Sequence, residues 1–365
     1  MQTIVIGAGV LGAAIAFRLA QAGAQVTVLE AGRVGGGTSG TSFAWINSAT
    51  GGVPPAYHAL RIASMQAHAE VAAEFGGASW YHPTGGLKWA WPAELPALEA
   101  NVAALQARGY AAEWIDRARL LAMEPDLDPV AIGDGPIAWF PEEGWLDPVP
   151  YAGAMVRAAQ SLGAVLRTGA RVAGMEMAGG RVTGVRLADG TRLAADCVVN
   201  CAGRWSDGLR PVPHVPLAPT VGFLVFTPPV AAGISHVLHA PEANLRPDGA
   251  GRLMLVWNDF AAGFSAETPP DPRLPEVQEM MQSVSRLIPS LAGLEAEAVR
   301  IGVRPLPRDG LSAIGPVPRT EGYYVAVTHS GVTLSPILAR LVAAEVVRGE
   351  DRAELAEFRP ARFFN

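Results

Sequence analysis

The sequence predicts an α/β domain on a parallel sheet, interleaved with an α+β domain whose sheet is mixed and largely antiparallel. Three observations support this fold class. The chain opens with a strand, a glycine turn, a helix and a second strand, the order of a parallel βαβ unit. Short alternating strands with tight turns follow from Ala164, which is typical of antiparallel pairing. Further parallel-type segments lie around residues 145–208 and near the carboxyl terminus, so the two domains are not in tandem.

The first element is a dinucleotide-binding fingerprint. An apolar strand at residues 3–6 leads into a turn with the pattern Gly7-x-Gly9-x-x-Gly12. Gly7 allows the tight turn, Gly9 lets the backbone approach a pyrophosphate, and Gly12 lets the helix pack on the strand. Glu30 ends the second strand, where a carboxylate accepts hydrogen bonds from ribose hydroxyls. An ordinary βαβ turn and the nucleotide site of a nicotinamide enzyme also fit this pattern.

Six helices are predicted from apolar periodicity, proline starts and glycine stops. They cover residues 13–23, 54–75, 92–109, 149–163, 275–288 and 333–348. Between them, a meander of short antiparallel strands is predicted from Ala164 through residues 171–177, 181–187 and 191–193. A buried strand of the parallel type follows at residues 196–200, and a larger mixed sheet is predicted from residues 220–227, 234–239 and 252–258.

Composition restricts the partners and the location. Half of the 365 residues are hydrophobic, which is enough for a large core. The net charge is −6, from 28 basic and 34 acidic residues, and there is no basic run, so neither nucleic acid nor an anionic membrane is expected. The first strand begins at residue 3, which leaves no room for a signal peptide and predicts a cytoplasmic protein. Residues 211–241 lack charge but are interrupted by prolines, so no continuous membrane helix is expected there.

Cysteine usage points away from a disulfide or a metal site. Cys197 and Cys201 are the two cysteines, and they fall in one predicted strand. At the rise of a strand they would lie about 13 Å apart, too far for a disulfide. They form no CxxC pattern. We expect two reduced packing residues and no bound metal.

Taken together, these segments resemble the flavin-dependent D-amino acid oxidase superfamily, and within it the branch of glycine oxidase and sarcosine oxidase. The resemblance covers nearly the whole chain. It rests on the fingerprint with its acid, the glycine loop at residues 35–39, and the segments at residues 144–148 and 198–206. The most specific parts are residues 302–315, with the pair Arg304-Pro305, and residues 329–336.

The resemblance implies non-covalently bound FAD and a discontinuous, Rossmann-like FAD-binding domain. That domain would comprise residues 1–50, 145–210 and 300–365, and residues 51–144 and 211–299 would form the substrate-binding domain. The positions that match the family's cofactor contacts are Gly7, Gly9, Val10, Leu11, Gly12, Glu30, Ala31, Arg33, Thr38, Ser39, Thr41, Ser42, Val172, Ala202, Gly203, Trp205, Arg304, Ser330, Gly331, Val332 and Thr333. A surface role for Arg33, an ordinary strand position for Val172 and a core position for Trp205 stay open.

Two helix ends in this pattern suit the charge of FAD. The first helix would offer backbone N–H groups and a partial positive charge to the pyrophosphate. Reduction of FAD creates negative charge at the N1–C2=O edge of its ring. A helix that begins near Gly331 would place N–H groups there and stabilise that charge.

Arg304 is the candidate that would bind the substrate carboxylate. The glycine oxidase branch has an arginine at this position, and a planar guanidinium binds a carboxylate bidentately. A structural ion pair is the alternative, and Arg308 is the next candidate if Arg304 points away. The resemblance adds His329, Trp257 and His239 as further candidates at the catalytic site, although capping and packing roles explain them equally well.

Three positions depart from the family pattern. Val303 occupies the position at which monomeric sarcosine oxidase attaches its flavin to a cysteine, so covalent attachment there is excluded. Met254 occupies the position of a lysine that is important for the reaction with O2 in the same relative, so fast reoxidation does not follow. The segment from His329 to Gly331 is shorter than in glycine oxidase and lacks its extra arginine, which leaves a second carboxylate contact open.

The function implied is FAD-dependent oxidation of an amino acid or an N-substituted glycine. The substrate would be a small amino acid or secondary amine with a carboxylate. Hydride would pass to flavin N5, the imine would hydrolyse to an oxo acid and an amine, and O2 would reoxidise the flavin and yield H2O2. Two alternatives stay open: a flavin dehydrogenase subunit that passes electrons to a protein acceptor, and a noncatalytic FAD-binding assembly subunit. The family accommodates both homo-oligomers and hetero-oligomers with a flavin subunit.

Overall fold

The computed structural model describes residues 1–218, 220–257 and 264–364. Its helices are α1 (Val10–Gln21), α2 (Pro55–Glu74), α3 (Leu95–Gln106), α4 (Arg117–Met123), α5 (Pro129–Ile132), α6 (Pro148–Ser161), α7 (Pro275–Leu287) and α8 (Gly331–Arg348). The six predicted helices are all present, within a few residues of the predicted bounds. The helices α4 and α5 were not predicted, because seven and four residues are too few to show a helical period.

Twenty strands form four sheets in the described part of the chain. They are β1 (Gln2–Ile6), β2 (Gln25–Leu29), β3 (Trp45–Ile46), β4 (Tyr81–His82), β5 (Gly86–Lys88), β6 (Glu113–Ile115), β7 (Ile137–Phe140), β8 (Gly144–Leu146), β9 (Val165–Arg167), β10 (Val172–Ala178), β11 (Arg181–Leu187), β12 (Arg192–Ala194), β13 (Cys197–Asn200), β14 (Thr220–Phe226), β15 (Val237–His239), β16 (Asn244–Pro247), β17 (Leu253–Val256), β18 (Ala298–Arg304), β19 (Ala313–Pro316) and β20 (Tyr323–Val327).

A six-stranded sheet contains the predicted parallel strands. Its order is β19-β20-β13-β1-β2-β9, and every neighbouring pair is parallel except β19 with β20. Side chains such as Val5 and Val199 pack against α1, α6 and α8, whereas Ile4 and Val198 pack against the three-stranded sheet β10-β11-β12. Because the strands are apolar on both faces, helices cover one face and a second sheet covers the other.

One strand of the predicted meander belongs elsewhere. The strand predicted at Ala164 is β9, which pairs in parallel with β2 and lies at the edge of the six-stranded sheet. Its assignment to the antiparallel meander was wrong, because β9 follows α6 and a crossover helix returns the chain in parallel. The other three strands, β10 to β12, form the predicted antiparallel meander.

An eight-stranded sheet contains the second predicted set. Its order is β18-β14-β17-β16-β15-β5-β7-β6, and its pairs are antiparallel except β15 with β5. The predicted α/β plus α+β fold class, with a mixed and largely antiparallel second sheet, is therefore confirmed. The predicted strand at residues 252–258 corresponds to β17, and its last residue lies outside the described residues. The edge strand β18 spans the predicted domain boundary at residue 300, and the division itself stays a prediction.

The fourth sheet is small and antiparallel, with the order β3-β8-β4. It joins residues 45–46, which follow the glycine loop, to residues 81–82 and 144–146. Both cysteines are free thiols, as predicted. Within the described ranges, no helix has the length and apolar character needed to cross a membrane.

Candidate active site

A cavity of about 710 Å³ lies at the carboxyl ends of β1, β2, β13 and β20. Its lining includes most of the predicted cofactor contacts and one catalytic candidate: Gly7, Gly9, Val10, Leu11, Gly12, Glu30, Ala31, Arg33, Thr38, Ser39, Ser42, Val172, Ala202, Gly203, Trp205, His329, Gly331 and Val332. Six other predicted residues lie outside this lining: Thr41, Arg304, Ser330, Thr333, Trp257 and His239. The fold therefore collects segments from distant parts of the sequence at one sheet edge.

The glycine turn forms a cradle of bare backbone. A Cβ on Gly12 would lie 2.1 Å from the Gly7 carbonyl oxygen, and one on Gly7 would lie 2.6 Å from the Cys201 carbonyl oxygen. Gly7 also has φ = +97°, which an L side chain rarely adopts. Gly9 faces Ser39, with 3.0 Å between an added Cβ and Oγ. The cradle fits a dinucleotide whose pyrophosphate lies against the backbone.

Polar groups of the loop and the sheet meet at the amino terminus of α1. Ser39 Oγ accepts a hydrogen bond from the Val10 N–H at 3.0 Å. Glu30 accepts from the Ala8 N–H at 2.9 Å and from the Gly32 N–H at 2.8 Å. The first turn of α1 carries no acidic residue of its own, and its amino terminus faces the cavity.

The rim of the cavity carries an exposed aromatic side chain. Trp205 keeps 49% of its surface exposed, and the Arg204 guanidinium lies 4.3 Å from the centre of its ring. A Cβ on Gly37 would lie 3.2 Å from the Trp205 ring, so the glycine loop packs closely on this side chain. The exposure shows that Trp205 is not a core residue, whereas contact with a cofactor stays a prediction.

Residues 42–47 connect the cavity to the eight-stranded sheet. Ala44 has φ = +58°, a conformation that non-glycine residues rarely adopt. The Ser42 hydroxyl oxygen accepts from the Ala44 N–H at 3.1 Å, and Arg246 Nε donates to the Phe43 carbonyl at 2.5 Å. Trp45 Nε1 donates to Glu143 at 2.7 Å. This segment is fixed from both sides, which holds its backbone in one conformation.

Two buried ionisable residues around this segment, Glu143 and Arg61, were missed by sequence reasoning. Glu143 is 1% exposed and also accepts from the Tyr110 hydroxyl at 2.6 Å, and burial raises its pKa to about 8. Arg61 of α2 donates to the Asn47 carbonyl at 2.9 Å, and Arg246 is fully buried. Arg61 could have been found from the sequence, because an arginine on the apolar face of a predicted helix indicates a buried polar contact. Glu143 offered no such signal, because nothing in its neighbourhood in sequence distinguishes it.

Arg304 is the last residue of β18 and carries a charge without a carboxylate partner among the described residues. Its Nη2 donates to the Val221 carbonyl at 3.2 Å, and its Nη1 lies 3.3 Å from His329 Nε2. A guanidinium can only donate, so His329 Nε2 is the acceptor of this contact. Arg304 Nε is buried and has no partner. The ion-pair alternative therefore finds no support at Arg304.

His329 is neutral at this position. Burial, followed by the charges of Arg304 and Arg61, lowers its pKa to about 4. A neutral imidazole can accept from Arg304 through Nε2, whereas an imidazolium would repel the guanidinium. Arg304 is thus oriented by two uncharged acceptors, and its positive charge stays available for an anion.

Arg304 lies on the face of the eight-stranded sheet that meets the cofactor segments. A Cβ on Gly302, two residues earlier, would lie 2.5 Å from the Thr41 carbonyl oxygen. The Thr38 hydroxyl donates to the Val303 carbonyl at 2.6 Å, and Thr41 contacts Thr38. Side chains alternate along a strand, so Gly302 and Arg304 share this face. Thr38 and Thr41 therefore connect β18 to the glycine loop.

The other catalytic candidates, His239 and Trp257, lie on two different faces of the eight-stranded sheet. His239 packs on Trp45 with 4.0 Å between ring centres, its Nδ1 contacts Asn244 Oδ1 at 2.6 Å, and its buried Nε2 has no partner. Burial lowers the pKa of His239 to about 4. Met254 packs near Phe43 on the same face. Trp257 instead packs with the cluster on the opposite face and donates to the Glu242 carbonyl, which favours the core-aromatic alternative.

The amino terminus of α8 also reaches the cavity. Gly331 and Val332 line it, whereas their contact with a flavin ring stays a prediction. Ser330 Oγ accepts from the Tyr57 hydroxyl at 2.9 Å, and the Thr333 hydroxyl donates to the Trp45 carbonyl at 3.2 Å. These two side chains therefore serve neighbouring elements in this structure.

The parallel sheet, the glycine cradle and the helix end at its carboxyl edge define a dinucleotide-binding α/β protein. Residues 2–345 match the family DAO, described as FAD dependent oxidoreductase, and the chain belongs to this family. It is thus an FAD-dependent oxidoreductase, and the predicted resemblance is confirmed.

Three relatives illustrate the similarity. Glycine oxidase of Geobacillus kaustophilus (strain HTA426) is 27% identical over 367 residues, or 97% of this chain and 95% of that protein. The crystal structure of glycine oxidase from this species gives a TM-score of 0.84 at 24% identity, over 99% of this chain and 98% of the other. The crystal structure of L-proline dehydrogenase from P. horikoshii gives a TM-score of 0.86 at 22% identity, over 100% of this chain and 97% of the other. The hydrogen cyanide synthase subunit HcnC of Pseudomonas aeruginosa is 24% identical over 255 residues, or 68% of this chain and 60% of that protein.

Proposed function

We propose that this protein oxidises the C–N bond of an amino acid or an N-substituted glycine, with FAD bound non-covalently and O2 as electron acceptor. The observation that carries the proposal is the guanidinium of Arg304, which pairs with no carboxylate among the described residues and adjoins Pro305 in the lining of the cavity. A substrate carboxylate is the partner that this partly buried charge lacks.

Residues 1–50, 145–210 and 300–365 form the proposed FAD-binding domain. All cavity-lining residues fall within these three ranges, which supports the assignment. Residues 51–144 and 211–299 form the proposed substrate-binding domain, and they supply seven strands of the eight-stranded sheet.

Non-covalent binding is supported by the cysteines. Val303 cannot form a thioether, and its carbonyl accepts from Thr38. Cys201 lines the cavity, but burial raises the pKa of its thiol far above the ordinary value. The thiolate required for attachment is therefore not populated.

Bound FAD supplies the acceptor for the hydride that leaves the substrate Cα–H. The residues of the chain bind and orient the substrate. Arg304 fixes the carboxylate, so that Cα is directed toward the cavity, and neutral His329 orients Arg304. The buried site disfavours an ammonium, so the substrate amine reacts as the free base. Water then hydrolyses the imine to an oxo acid and an amine, and O2 takes up the electrons as H2O2.

The similarity to glycine oxidase favours a small carboxylate-bearing amine. The first experiment is anaerobic bleaching of the flavin absorbance by glycine, sarcosine, iminodiacetate, proline, D-amino acids and N-alkylglycines. At least one of these compounds should reduce the flavin. Yellow protein that none of them reduces would instead support the noncatalytic assembly subunit.

Arg304→Leu tests the carboxylate contact. Loss of a charged hydrogen-bond partner of the substrate should lower kcat/KM for the best substrate by about 100-fold. Arg308→Leu is the matched control, since Arg308 lies four residues further along and is exposed. Equal kinetics of Arg304→Leu and wild type would refute the assigned role, while Arg308→Leu should stay within about twofold.

A flavin dehydrogenase subunit is the second candidate. Met254 is 4% exposed on the sheet face near Phe43, at the position where an oxygen-reactive relative has lysine. The similarity to a hydrogen cyanide synthase subunit adds an assembly with other chains as a further hypothesis. Stopped-flow mixing of the reduced protein with air-saturated buffer discriminates the two functions. Reoxidation slower than turnover would favour the dehydrogenase.

A further inference from the structure

A proline interrupts the hydrogen bonds at the start of α8. Pro336 is the sixth residue of this helix. Proline has no backbone N–H, so the carbonyl of Val332, four residues earlier, lacks the donor that an α-helix ordinarily supplies. Val332 lines the cavity, so this carbonyl, which has no backbone donor, belongs to the turn nearest to the proposed cofactor site.

A histidine of α2 supplies a donor from outside the helix. His68 Nε2 lies 2.9 Å from the Val332 carbonyl oxygen and 3.2 Å from that of Thr333. Because carbonyls only accept, His68 carries its proton on Nε2. Its ring is fully buried and stacks on Tyr81, with 5.9 Å between centres and 13° between planes. The side chain is therefore fixed in the orientation that this contact needs.

Two more side chains of α2 contact the same stretch. The Ser64 hydroxyl donates to the Thr333 carbonyl at 2.6 Å, and the Tyr57 hydroxyl donates to Ser330 Oγ at 2.9 Å. Positions 57, 64 and 68 share one face of a helix. This face of α2 thus binds residues 330–333 through three side chains.

A side chain within α8 also reaches the Val332 carbonyl. The Ser335 hydroxyl lies 3.2 Å from the Val332 carbonyl, but it lies 3.1 Å from the Tyr151 hydroxyl as well. A carbonyl oxygen accepts two hydrogen bonds and a tyrosine hydroxyl can donate, so Ser335 and His68 can both donate to Val332 while Tyr151 donates to Ser335. His68 is the donor at the shorter distance.

We propose that His68, together with Ser64, is a positioning residue for the cofactor: α2 donates a hydrogen bond in place of the backbone N–H that Pro336 lacks, and thereby fixes the turn at residues 331–333, of which Gly331 and Val332 line the proposed FAD cavity. The inference rests on the proposed FAD site and is independent of which substrate is oxidised. His68 acts through the backbone of α8 and is not itself a catalytic residue.

The test measures FAD affinity and the midpoint potential of the bound flavin in full-length variants. His68→Leu removes the donor and should weaken FAD binding about tenfold. It should also shift the potential to more negative values, because a loosened helix terminus stabilises the reduced ring less. His68→Gln keeps an N–H near the position of Nε2 and should stay within about threefold of wild type in affinity.

The matched control separates positioning from general loss of stability. Val71→Ala removes buried apolar atoms one turn further along α2, without a hydrogen bond to α8. It should lower the thermal stability and leave the flavin potential unchanged. His68→Leu with the potential and affinity of wild type, or with the same profile as Val71→Ala, would overturn the proposal.

Pro336→Ala provides the second arm. Alanine restores the backbone N–H that can pair with the Val332 carbonyl, so His68→Leu should cost less FAD affinity in the Pro336→Ala background. If His68→Leu alone does not fold, the double variant His68→Leu/Pro336→Ala should recover FAD binding. Equal losses in both backgrounds, or no recovery of FAD binding, would contradict the proposal. Wild type that binds FAD but oxidises no amine would refute the proposed function and leave this test valid.

Discussion

Both carboxylate oxygens of Glu30 bind backbone N–H groups, those of Ala8 and Gly32. This acid therefore shapes the glycine turn as well as the expected ribose contact. Glu30→Ala leaves two N–H groups without partners and should lower both the free energy of unfolding, by about 1–3 kcal/mol, and the FAD affinity, by about tenfold or more. Chemical denaturation and FAD titration measure the two effects. Glu99→Ala, at an exposed position of α3, should change neither, and wild-type affinity of Glu30→Ala would contradict the role.

Glu143 gives the stability a defined pH dependence. Its pKa is raised from 4.5 to about 8, first by burial, so the folded protein holds a proton that the unfolded chain releases. The stabilisation is complete below the unfolded pKa and is lost as the pH rises through the folded pKa, by on the order of a few kcal/mol. Glu143→Gln stays neutral, and its unfolding free energy should vary less between about pH 5 and pH 8.

Denaturant titrations at three pH values in that window compare Glu143→Gln with wild type. Glu99→Gln, which removes an exposed carboxylate, should retain the wild-type slope. A slope for Glu143→Gln equal to that of wild type would show that another group causes the dependence.

Single residues of the site differ in how far the sequence could predict them. Gly7, Gly12 and Glu30 were predictable, because each is required by a local turn or strand end. Their spacing in the sequence matches the dinucleotide-binding fingerprint. Glu143 was not predictable, because its partner Trp45 is far away in sequence. A buried charge becomes recognisable only when the tertiary structure shows what satisfies it.

At the scale of an element, residues 42–47 are held in a strained conformation by their neighbours. Ala44→Gly removes the side chain at φ = +58° and should keep the free energy of unfolding within about 1 kcal/mol of wild type. Ala44→Val places a β-branched side chain in the same buried position and should cost about 2 kcal/mol or more. Chemical denaturation measures both.

Ala152→Gly is the matched control for this element. Ala152 is buried in α6 with ordinary helical geometry, so its replacement by glycine should cost about 1 kcal/mol or more. If Ala44→Gly were as destabilising as Ala152→Gly, the strain at residue 44 would be refuted.

Whole elements were predictable where a local pattern was long enough. The helices α1, α2, α6 and α8 follow from their periodicity, whereas β9 was placed in the wrong sheet. A strand of three residues carries no sequence pattern that identifies the strand it pairs with. The parallel pairing of β9 with β2 follows from the path of α6. Pairing partners are a property of the topology.

At the scale of the whole molecule, the cavity is lined by separate parts of the chain, between residues 6–42, 170–209 and 305–332. A ligand that contacts all three should stabilise the folded state by about 2.7 kcal/mol at a concentration one hundred times its Kd. FAD should therefore raise the Tm, and more than FMN at equal concentration, because FMN lacks the adenosine half of the dinucleotide that the proposed site binds at the glycine turn. Differential scanning fluorimetry measures both shifts. Equal shifts would place the ligand away from the turn.

The sequence by itself determined the βαβ unit and the family, and it predicted Arg304 as the cation of the proposed site. These properties are local, because glycines, apolar periods and short motifs act over a few residues. The tertiary structure decided that Arg304 has neutral acceptors and no described carboxylate partner, that Trp257 lies on the far face of its sheet, and that His68 completes the hydrogen bonds of α8. Such contacts join residues far apart in sequence, and their geometry exists only once the chain has folded.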